Sequence, residues 1–143
     1  MRALCAREMN SVISKELEVL WADFNESDLD EKLAAFERLN TAATTDDLPQ
    51  LIDALKSDRN DFWVRELLSE PISELGGSKY LSELFDALQI NYAEGHDNDG
   101  FNHFLTEIAW AEPQACKAKL LELLSDESFA HKKAARWLIE FCE

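Results

Sequence analysis

The chain has 143 residues, 46% of them apolar, with four Trp and eight Phe; that is enough to bury a core without disulfides and too much for a disordered polymer. Its 14 Lys and Arg against 29 Asp and Glu leave a net charge of −15, which disfavours nucleic acid and anionic membranes and favours a basic protein as partner. Only four Gly and three Pro are present, so the frequent turns of a β sandwich or barrel are excluded.

The apolar spacing is helical from end to end. Ile13, Leu17, Leu20, Trp21 and Phe24 share one face of a first helix. Ser27 with Asp30 resembles a capping box opening a second, with Leu29, Leu33, Phe36 and Leu39 on its buried stripe. Asp46 is the expected cap of a third helix, over about 47–57, with Pro49 in its first turn and Leu48, Leu51, Ile52 and Leu55 inward. The fourth, over about 61–75, carries Val64, Leu67, Leu68, Pro71, Ile72 and Leu75, with an interruption expected at Pro71 and a stop at Gly76-Gly77.

Ser78 opens a fifth helix burying Leu81, Leu84, Phe85 and Leu88 and running to about Ala93. The polar loop EGHDND precedes a sixth, over about 99–111, with Phe101, Phe104, Leu105 and Ile108 inward. Pro113 begins a seventh with Leu120, Leu121 and Leu124, and an eighth buries Ala134, Ala135, Leu138 and Phe141. Residues 1–8 read as a loosely ordered extension, with Met9 an alternative start, and residues 9–143 as a single domain. Cys5, Cys116 and Cys142 are odd in number and lack C-x-x-C spacing, so they are expected to be buried thiols in a reducing compartment. No long apolar run and no cleavable leader is visible, which predicts a cytoplasmic location.

The helices also repeat. Leu51-Ile52-Asp53-Ala54-Leu55, Leu84-Phe85-Asp86-Ala87-Leu88 and Leu120-Leu121-Glu122-Leu123-Leu124 align at offsets of 33 and then 36 residues. Asp58 and Asp126 each precede a basic residue by seven positions, Arg65 and Lys133, which suggests a charge ladder between repeats. Over about residues 46–142 this pattern resembles the HEAT-like repeat family. The resemblance implies an all-α fold, an α-solenoid of about four helix pairs (about eight helices), with second helices lining the concave face. It names an architecture and no activity.

Catalytic constellations are sparse. No phosphate loop, nucleophile elbow or H-E-x-x-H is present. His96, Asp97, Asp99 and His103 lie close in sequence, but capping of the sixth helix by Asp97, Asn98 or Asp99 accounts for the acids, and no metal or other cofactor is expected. The faces opposite the core carry more information. Trp63, Glu66, Glu70 and Glu74 fall together on the fourth helix, His103, Glu107 and Trp110 on the sixth, and Trp137 with Glu140 on the eighth.

With the loop residues His96, Asp97 and Asp99, these make a candidate partner-binding surface in which Trp anchors and carboxylates steer. The expectation is a binding protein without catalytic residues and monomeric when free. Its most concrete form is an immunity protein whose acidic concave face neutralises a basic toxin, such as a nuclease, by mimicking the phosphate substrate. The alternatives are a regulatory or assembly adaptor, and an enzyme on a HEAT-like scaffold using His96, Asp97 and His103.

Overall fold

The computed structural model describes residues 9–142, so the expected extension at 1–8 and Cys5 lie outside the described residues. The fold is all-helical, with no strand among the described residues. The α-helices are α1 (Ser11–Trp21), α2 (Leu29–Ala42), α3 (Leu48–Leu55), α4 (Phe62–Gly76), α5 (Leu81–Ala93), α6 (Asp99–Ala111), α7 (Pro113–Ser125) and α8 (Lys132–Ile139). Single 3₁₀ turns, Thr45–Asp47 and Gly77–Tyr80, lead into α3 and α5. The helices gather into two compact units, one ending at Asn60 and the other beginning at Asp61.

In the first unit α1 packs along α2, burying Ile13, Leu17 and Leu20 against Ala35, Phe36 and Leu39. Asn10 caps α1 by accepting the amide of Val12, and Asp28 with Glu31 forms the capping box of α2, one residue after the expected Ser27 and Asp30. The buried stripe of α2 is also rotated from expectation. Leu29 and Leu33 are exposed, while Lys32 is 1% exposed.

The reason lies at the end of α1. The Lys32 ammonium donates to the carbonyls of Val19, Leu20 and Ala22 at the C-terminal end of α1, where carbonyls run short of amide donors and only Val19 also accepts the Ala22 amide. Phe24 was expected on the buried face of α1; the helix stops at Trp21, and the exposed Phe24 ring instead lies 4.8 Å from the Lys32 ammonium. Asp47, not Asp46, precedes α3, and its carboxylate closes a box with Thr44, accepting the Thr44 amide at 2.8 Å. Leu48, Leu51, Ile52 and Leu55 are buried as expected.

One ion pair in this unit sets an acid sensitivity. Arg38 forks onto the buried Glu16 carboxylate at 2.9 and 3.1 Å. Those hydrogen bonds, opposed by desolvation and helped by the Arg38 charge, hold the carboxyl below its ordinary value of 4.5. A depressed folded-state value contributes stability above the unfolded value, and that contribution is lost as pH falls through the folded one. Stability measured by denaturant unfolding below about pH 4.5 should therefore fall less steeply in Glu16→Gln than in the wild type. Equal slopes in that acid window would show that the pair carries no pH dependence.

In the second unit α4 runs alongside α6, α6 meets α8, and α5 meets α7. The α4 helix begins at Asp61, whose carboxylate accepts the Val64 amide at 2.9 Å. Pro71 does not break it: the helix continues to Gly76 with Pro71 inside and buried. Val64, Leu68 and Ile72 are fully inward, while Leu67 and Leu75 are half-buried.

Gly77 ends α4 at φ 54°, and a Cβ there would lie 2.5 Å from a Glu112 carboxylate oxygen, so this turn requires glycine. Glu112 in turn accepts the Ser78 amide at 2.7 Å, tying the turn to the α6–α7 junction. Leu81, Leu84, Phe85 and Leu88 of α5 are buried as expected. On α7 the expected stripe is again rotated: Leu120 and Leu123 are buried with Cys116, and Leu121 is exposed.

Arg65 departs from the expected ladder. Its guanidinium is buried and donates to Asn91 Oδ1 at 2.7 Å and to the Glu94 carboxylate at 2.9 and 3.2 Å, joining α4 to the end of α5. Lys133, the other expected ladder residue, is exposed on α8.

Candidate functional site

The α4 and α6 helices run in the same direction. Near their starts, Glu66 reaches the first turn of α6, where a Cβ on Gly100 would lie 2.8 Å from its carboxyl carbon. Further along, the last turn of α4 lines one groove of about 570 Å³ with His103, Phe104, Glu107, Ile108, Ala111 and Glu112. Glu74, His103 and Glu107, three of the expected site residues, meet there, with Phe104 and Ile108 as apolar floor and Glu112 at one end. His103 Nε2 lies 3.2 Å from Glu107 Oε1, one helical turn away. The groove is thus acidic, open to solvent and flanked by apolar surface.

The aromatic residues extend this face. Trp110, one turn after Glu107 on α6, is 59% exposed. Its ring meets Phe141 edge-on at 6.4 Å, and Phe141 meets Trp137 at 5.2 Å. Phe141 was expected in the core of the eighth helix; it lies just beyond α8, half-buried, and joins the two Trp residues into one aromatic line. Glu140 is exposed directly after α8.

The remaining candidates lie nearer the first turns of α4 and α6. Trp63 and Glu70 are half-buried on α4. His96 stacks on Phe62 with ring centroids 3.7 Å apart, and the Asp97 carboxylate accepts the Asp99 amide at 3.3 Å. Asn98 occupies the position before α6 and is 2% exposed; its amide group donates to the His96 carbonyl and its side chain accepts from no helix amide. Asn98 is thus a cap by position only, and the Asp97 carboxylate holds the first amide of α6.

The two imidazoles have different partners: His96 is stacked on the Phe62 ring, and His103 is paired with Glu107 one turn later on α6. Among the described residues no three His, Cys, Asp or Glu side chains converge as metal ligands. Cys116 and Cys142 are buried free thiols; burial, then a hydrogen bond with Cys142, pushes Cys116 up to about 12, which suppresses its nucleophilic thiolate. No helix among the described residues is long and apolar enough to cross a membrane.

Sequence reasoning missed two features. Glu112 bonds across 34 residues to the Gly77 turn, a contact without local signal. Tyr92 lies in a second cleft that also contains Trp137 and Lys133. The exposure of Tyr92 at the end of α5 was visible only as an unassigned aromatic. The chain matches no family model, no curated protein and no solved structure.

Proposed function

We propose that this chain is a protein-binding helical module whose partner is a basic protein held on the acidic face of α4 and α6. The observation that carries this is the convergence of Glu74 and Glu107 in a groove of about 570 Å³, with the exposed Trp110 one helical turn beyond Glu107 on α6. Carboxylates around an aromatic anchor steer a cationic surface and then hold it by desolvation. The net charge of −15 adds long-range attraction of the same sign. The side-by-side packing of α4, α6 and α8, with α5 against α7, supports a HEAT-like stack in the second unit, in which second helices form one row.

The particular form we favour is an immunity protein that neutralises a basic toxin. A nuclease suits it best, because a phosphate-binding site is cationic and an acidic face competes for it. The test starts from affinity capture on immobilised wild type and on a Glu74→Lys/Glu107→Lys variant. A basic protein retained at low salt by the wild type and lost from the variant is the expected result. Addition of the chain in equimolar amount should then abolish that protein's nucleic-acid cleavage. Capture with undiminished or absent cleavage would replace the immunity reading with that of an adaptor, and equal capture by both forms would remove the groove from the account.

A further inference from the structure

A second cleft, of about 560 Å³, opens between α5 and α8 within the same unit. Its floor is apolar, built by Leu88 and Tyr92 of α5 and by Ala134 and Trp137 of α8. Tyr92 and Trp137 are large aromatics that remain substantially exposed here, and covering such surface is favourable.

The electrostatics are the reverse of the α4–α6 groove. No Asp or Glu lines this cleft, and Lys133 lines it with an exposed side chain that bonds to no carboxylate among the described residues. The α8 segment holds Lys132, Lys133 and Arg136 and no acid, inside a chain of net charge −15. Lys132 is turned away, donating to the carbonyls of Leu124 and Asp126. At the rim, His131 engages the Asp86 carboxylate at 2.7 Å, so that acid is already partnered. Glu140 follows on the next turn, outside the lining.

We propose that this cleft is a second binding surface that takes a peptide segment of a partner, one carrying a bulky apolar side chain next to a carboxylate. The apolar group fills the space over Tyr92 and Trp137, and the carboxylate meets Lys133. A basic segment would face Lys133 unfavourably, so the ligand differs in charge from the partner assigned to the α4–α6 groove. The linings of the two clefts share no residue, so charge reversal at Glu74 and Glu107 tests one and Lys133→Glu the other.

The probe is the synthetic peptide acetyl-Glu-Phe-Leu-Glu-amide, titrated into ¹⁵N-labelled protein and followed by amide and indole chemical shifts. Shifts at the Trp137 indole, Tyr92 and Ala134 are expected, with affinity reduced about threefold or more by Lys133→Glu, the loss of an exposed ion pair and gain of repulsion. Trp137→Ala should abolish the peptide-induced shifts while keeping the amide dispersion of a folded protein, with changes from the substitution itself confined to residues around Phe141. The same peptide with Gln in place of Glu should bind more weakly. Absence of shifts at millimolar peptide, equal binding of the Gln peptide, shifts confined to Glu74 and Glu107, or shifts that follow protein concentration alone through self-association would each overturn the proposal.

Discussion

Replacing Arg65 by methionine is expected to destabilise the protein by about 3 kcal/mol, the cost typical of removing one partner from a buried charged network. The loss centres on Asn91, which is fully buried, uses its amide on the Phe62 carbonyl at 3.3 Å and offers its oxygen to Arg65 at 2.7 Å. Without the guanidinium that oxygen has lost its charged donor in a dry position. Glu94 is exposed and regains water, so Glu94→Gln should cost far less than Arg65→Met. A double Arg65→Met/Asn91→Leu variant should recover part of the loss, because replacing both partners removes the stranded polar atom. Denaturant midpoints of the three variants check this, and a loss for Glu94→Gln as large as for Arg65→Met would show that the ion pair, not Asn91, dominates.

Lys32→Met should cost about 2–3 kcal/mol by a different route. Methionine keeps the apolar stem of the lysine packed but withdraws the donor from three carbonyls at the end of α1. The adjacent Leu33→Gln, exposed in the structure, should stay within about 0.5 kcal/mol. Unfolding midpoints of the two variants discriminate directly between the two helical phases of α2. If Leu33→Gln proves the more damaging, the apolar stripe expected from sequence is right and the buried Lys32 is wrong.

That pair of residues shows where sequence reasoning reached its limit. Helical period and capping chemistry locate the elements well: α3, α5 and α6 fall close to their expected spans, and their inward Leu and Phe residues are buried except Phe104, which is half-buried and lines the α4–α6 groove. Phase is harder where the core admits a charge. A lysine reads as a surface residue until the carbonyls it satisfies, ten to thirteen residues earlier, are in view. Arg65 is the same case, since its partners lie on a later helix.

The candidate surface was legible in part. The spacing of His103, Glu107 and Trp110 on one helix face predicts their alignment, and the structure brings Glu74 into one groove with His103 and Glu107. Helical spacing alone could not separate Glu66, which abuts Gly100, from Glu74 two turns later, because both share a face of α4. Nor could it place Trp137, which links to Trp110 through Phe141 while also facing the cleft lined by Lys133.

The claim that an acidic groove on α4 and α6 recruits a basic partner is tested most directly by association kinetics with the captured partner. The wild-type association rate should fall steeply with added salt, and Glu74→Lys/Glu107→Lys should associate at least about tenfold more slowly at low salt with a flatter salt dependence. An association rate at low salt unchanged by that double charge reversal would contradict the account.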